Sequence, residues 1–127
     1  MKRVIVAVQN TLVSEAILSA LEKRGIFAEK SVSGDPQSVA SLCETFFADI
    51  LIVDITRFGS GTFENRVKTV NKIKCGNPQI KVCFVCDNVS DSELSVRVAN
   101  AKAMGQIDVF FYQSVPSDYI ADVISTM

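Results

Sequence analysis

Two runs in this chain, Val4-Ile5-Val6-Ala7-Val8 and Ile50-Leu51-Ile52-Val53, are apolar at every position and rich in β-branched residues. Side chains of a strand alternate between the two faces of its sheet, so a run without a polar face must be covered on both sides. A parallel sheet wrapped in helices meets that requirement, and a one-sided antiparallel sheet does not. Ile80 to Cys86 and Val109 to Tyr112 continue the pattern, and Ile26 to Val32 supplies a further short strand.

Helical segments alternate with these strands. Leu12, Ala16, Ile17, Ala20 and Leu21 share one apolar face, with Asn10 or Thr11 as its cap. Lys23 and Arg24 suit the C-terminal dipole of that helix, and Gly25 stands where a left-handed cap belongs. Ser33-Gly34-Asp35-Pro36 is a turn into a second helix, capped by Asp35, with Val39, Leu42, Cys43 and Phe46 on its inner side. A loop over Arg57 to Thr62 precedes a third helix containing Val67, Val70 and Ile73, which ends near Gly76-Asn77-Pro78. Asp87 to Asp91 is a polar connection. Leu94, Val98 and Ala101 mark the fourth helix, and Pro116-Ser117-Asp118 opens a fifth with Tyr119, Ile120 and Val123. The fold class expected is α/β: a (βα)5, doubly wound, five-stranded parallel sheet.

The 127 residues suit one domain, residues 1–127, and a hydrophobic content of 48% against 21% charged supports a packed core. A net charge of −1 creates no field to attract nucleic acid or an anionic membrane. No direct nucleic-acid contact is expected, and Lys68, Lys72 and Lys74 read as a solvated helix face beside Glu64. No apolar run approaches the ~20 residues of a membrane span. The run after Met1-Lys2-Arg3 ends at Gln9-Asn10 without a cleavage-site pattern, so the expectation is a cytoplasmic location and no membrane partner.

Four cysteines, Cys43, Cys75, Cys83 and Cys86, read as reduced thiols. Cys83 and Cys86 match C-x-x-C in letters, but three residues along a strand put them on opposite faces. With no second cysteine pair and no histidine in the chain, a zinc site is not expected, and without histidine a Ser-His-Asp arrangement cannot form.

In such a sheet, ligands collect at the carboxyl ends of the strands, near the point where strand order reverses. The residues there are Val8-Gln9-Asn10, Asp54 with Thr56 nearby, Cys86-Asp87, and Tyr112-Gln113. Asp54 directly follows an apolar strand, so it needs either a place at the strand mouth or partners. Two readings stand side by side, a helix-cap or solvated loop aspartate and a functional carboxylate.

The segments Asp49-Ile50-Leu51-Ile52-Val53-Asp54, Lys81-Val82-Cys83-Phe84-Val85-Cys86 and Phe110-Phe111-Tyr112-Gln113-Ser114-Val115-Pro116 carry a resemblance. Across its whole length the chain resembles a response-regulator receiver domain, CheY-like and flavodoxin-like in fold. The likeness is to the type found in two-component transcriptional regulators. The resemblance implies that Asp54 stands at the position that accepts phosphate from a histidine kinase. It also implies that an acidic pair binding Mg²⁺, a Ser or Thr, and a Lys complete the pocket.

Those companions are replaced here. The acidic pair falls on Val8 and Gln9, the Ser or Thr on Cys86, and the Lys on Gln113 or, by an ungapped count, on Tyr112. Mg²⁺ prefers carboxylates and water, which Val8 cannot supply and Gln9 supplies only as a neutral carbonyl. Thr56, Asp87 and Tyr112 are pocket neighbours, with Asp87 either a substitute ligand or a turn residue. No cofactor is expected, with Asp54 as a weak Mg²⁺ ligand only if the pocket still works. Millimolar Mg²⁺ is expected to leave thermal stability unchanged.

The resulting expectation is a non-enzymatic, phosphorylation-independent protein-interaction module in two-component signalling. Its partners are a histidine kinase or an output protein, and a homodimer is one form it can take. The resemblance implies output through the face of the fourth helix, fifth strand and fifth helix, where Phe110 is either a switch aromatic or core. The alternatives are a regulator still phosphorylated on Asp54, and a small nucleotide- or flavin-binding protein. The second lacks any G-x-G-x-x-G or Walker-type loop after the first strand.

Overall fold

The computed structural model describes residues 2–31, 35–56, 62–86, 92–112 and 114–127. Strands and helices alternate as β1 Arg3–Ala7, α1 Thr11–Lys23, β2 Phe27–Lys30, α2 Pro36–Phe46, β3 Ile50–Asp54, α3 Phe63–Gly76, β4 Lys81–Cys86, α4 Ser92–Ala103, β5 Val109–Tyr112 and α5 Ser117–Thr126. All strand pairs are parallel, in the order β2-β1-β3-β4-β5. β1 therefore sits between β2 and β3, and the order reverses there, which puts the crevice at the ends of β1 and β3.

The unbroken apolar strands are covered on both faces. On one, Ile5, Leu51, Val53, Val82 and Phe84 pack with Val39, Cys43, Val70, Ile73 and Val98 from α2, α3 and α4. On the other, Val4, Val6, Ile50, Ile52 and Val85 meet Ile17 and Leu21 of α1 and Ile120 and Ile124 of α5. Cys86 belongs to the first cluster and Cys83 to the second, so the C-x-x-C pair is split by the sheet.

Local signals place the helix ends. Asn10 caps α1 by accepting from the Val13 N–H at 3.2 Å, Asp35 caps α2 through the Ser38 N–H, and Gly25 closes α1 at φ 72°.

Two expectations need correction. The second strand is shorter than Ile26 to Val32: β2 ends at Lys30, an edge strand with one neighbour, and Val32 lies outside the described residues. In α1, Leu12 and Ala16 are exposed, and the buried line is Ser14, Ile17, Ala20 and Leu21. A helix advances about 100° per residue, so Leu12 and Ala16 stand on the flank of the stripe that meets the sheet. Of the connections, residues 57–61 and 87–91 and the Ser33-Gly34 turn also lie outside the described residues.

Candidate functional site

Asp54 is the last residue of β3, in register with Val85 of β4. The apolar residues before it tie it into the centre of the sheet, and the residue is taken out of water, 3% exposed. A carboxylate held there without compensation is costly. Its compensation comes from both sides of the crevice. The Gln9 main-chain N–H, just beyond β1, donates to Oδ2 at 3.0 Å. Arg66 of α3 donates from Nη2 to Oδ1 at 2.9 Å and from Nε to the Asp54 main-chain carbonyl at 3.0 Å.

Arg66 has no exposed surface. It lies on the inward face of α3 with Thr69, Val70 and Ile73, and the first turn of that helix brings it over the end of β3. The guanidinium fork is matched in two directions by one residue, side chain and main chain together, which fixes its rotamer as well as its charge. Asp54 is therefore neither a helix cap nor a solvated loop aspartate, but half of a buried ion pair.

Arg66 was not among the residues singled out from the sequence. The signal available was its spacing: four residues before Val70 and seven before Ile73, an arginine occupies a core-facing position.

The other crevice residues contribute less than their positions suggest. Val8 is buried and offers no ligand atom, and the Gln9 side chain is exposed while its main chain serves Asp54. Cys86 is fully buried, and its thiol donates to the Phe111 carbonyl at 3.6 Å, which turns it towards β5. Thr56 and Tyr112 are half-buried, and the Tyr112 ring stands edge-on to Phe110 with centroids 5.7 Å apart. Phe110 also carries Lys102 of α4 over its face. Asp87 and Gln113, the residue placed at the lysine position with Tyr112 as its alternative, lie outside the described residues.

The donor set of the described residues does not fit Mg²⁺. Among the described residues no group of three acidic, cysteine or histidine side chains converges anywhere. At the crevice, a guanidinium and an N–H point at the two oxygens of the Asp54 carboxylate. A divalent cation there would meet positive charge where it needs oxygen ligands.

No protein-family model matches the sequence, and no curated protein matches it. Solved structures do match. An orphan response regulator of H. pylori superposes with a TM-score of 0.74 at 19% identity, over 98% of this chain and 94% of that one. A response regulator of Thermotoga maritima, solved with Mg²⁺-BeF, gives 0.74 at 15% identity over 99% and 98%. A chemotaxis protein of Vibrio cholerae gives 0.75 at 11% identity over 99% and 98%. Among the described residues no helix is long and apolar enough to cross a membrane. The chain thus has the α/β fold of response-regulator receiver domains, the CheY-like architecture.

Proposed function

We propose that this chain is a regulatory receiver domain in which Asp54 anchors Arg66 instead of accepting phosphate, and that it acts through protein contacts without catalysing a reaction. The buried Arg66–Asp54 pair is the observation that carries this reading. Attack on a phosphoryl donor needs a free carboxylate oxygen and positive charge on the transferring oxygens. Here Oδ1 is held by Arg66 and Oδ2 by Gln9, and among the described residues the metal that would supply charge has no fitting ligand set. A histidine kinase or an output protein is the partner class that the fold suggests, met through the α4-β5-α5 face. Phe110 and Tyr112 lie half-buried on that face.

One observation favours a second reading, retained phosphorylation. Arg66 already places a cation beside Asp54, and its fork suits phosphoryl oxygens as well as carboxylate. Amide NMR of the wild type and Asp54→Ala, titrated with Mg²⁺ and then beryllofluoride, separates the two. Spectra unchanged at millimolar concentrations are the expected result. Shifts that depend on Asp54 and spread from β3 to β5 would establish phosphate-type switching and overturn the proposal.

A further inference from the structure

At the opposite end of the sheet from Asp54, α2 ends in an unusual way. Its cap, Phe47, adopts the left-handed conformation with φ 53° and ψ 52°. It is the only non-glycine residue with positive φ among the described residues. Glycine or asparagine ordinarily takes this position, because a Cβ there is strained, and a bulky residue most of all. The strained cap also directs an aromatic ring into solvent, 75% exposed.

Beside that ring lies a cleft of ≈ 520 Å³ between α2 and α3. Its floor is formed by the buried side chains of Cys43, Ala48 and Ile73, and Phe47 stands on its wall. Glu44 and Lys72 lie on its rim. Both are exposed, and among the described residues neither has an ion-pair partner.

Knob and hole therefore share one patch, and so do the two signs of charge. A two-fold axis through such a patch sends each knob into the other's hole and sets each acidic group against a basic one. We propose that this patch is an isologous homodimer interface, with Phe47 of each copy seated in the cleft of the other and Glu44 facing Lys72 across the axis. A different partner would not need knob, hole and both charges on the same surface. The proposal is independent of what Asp54 does, since that residue lies at the far end of β3.

Light scattering on the full chain from about 10 µM to about 1 mM spans the range in which a modest interface shows itself. The expected average mass rises towards twice the monomer's with concentration. Phe47→Gly should abolish the rise while melting no lower than the wild type at low concentration, because glycine suits the left-handed cap. That melting check separates a lost contact from a lost fold. Lys72→Glu should weaken association at least tenfold, and Glu44→Lys combined with it should restore most of the loss. A wild type that stays monomeric at the highest concentration overturns the proposal. So does a Phe47→Gly variant that associates as before, or a charge swap that recovers nothing.

Discussion

Arg66 holds Asp54 at two points, Nη2 on the carboxylate at 2.9 Å and Nε on the main-chain carbonyl at 3.0 Å, with the guanidinium wholly out of solvent. The pair ties the start of α3 to the end of β3, so a change at either residue acts on the fold before it acts on any signal.

Asp54→Asn should therefore destabilise the domain by about 3–5 kcal/mol, since it strands a buried cation. Arg66→Met should be comparably costly because it strands the carboxylate. Combining Arg66→Met with Asp54→Leu should recover much of the loss, as buried pairs replaced by apolar side chains often do. Urea unfolding of the wild type, Asp54→Leu, Arg66→Met and their combination gives the cycle. Single variants within about 0.5 kcal/mol of wild type would show that the pair contributes little.

Millimolar Mg²⁺ should leave the melting temperature unchanged to within about 1 °C, because a ligand stabilises only the state that binds it. Among the described residues the crevice offers one carboxylate, Asp54, already engaged by Arg66 and Gln9. A rise of several degrees, seen by differential scanning calorimetry, would mean that ligands assemble there after all.

Ser14 faces the core with no exposed surface, and among the described residues its Oγ has no hydrogen-bond partner. Removing an unsatisfied buried hydroxyl relieves a desolvation cost, and alanine is the better helix former. Ser14→Ala should therefore raise stability by about 1 kcal/mol in urea unfolding. A loss of that size would show that the hydroxyl is satisfied in solution.

Burial pushes the Cys43 thiol up to about 12, and burial together with the Asp108 charge does the same for Cys83. In the unfolded chain both ionise near the ordinary value of 9.0. Between these values the unfolded state binds fewer protons than the native state, so stability falls as pH rises. The contribution of these thiols is fully present below pH ~9 and is lost on approaching ~12, at roughly 1 kcal/mol per pH unit and thiol. Cys83→Ala should shallow that decline relative to wild type. At neutral pH a thiol reagent should find Cys75 quickly, since it alone of the four is exposed. Fast modification of a second cysteine would place one of the buried thiols at the surface.

The unbroken apolar runs at Val4–Val8 and Ile50–Val53 made the two-sided parallel sheet legible without coordinates, because strand periodicity leaves no polar face for water. Asn10 or Thr11, Gly25 and Asp35 marked helix ends for equally local reasons, and Asn10 is the cap: a side-chain acceptor or a left-handed φ acts within a few residues. Asp54 at the end of an apolar strand announced that it needed either a place at the strand mouth or partners. Which partners they are was settled by packing. Arg66 lies twelve residues further along, on another element, and an arginine in a helix is solvated far more often than buried. The stripe of α1 that meets the sheet, and the hole beside Phe47, were likewise decided by how helices seat on their neighbours. Local chemistry dictated the elements, and only their juxtaposition determined that the carboxylate of Asp54 is neutralised by a guanidinium from α3.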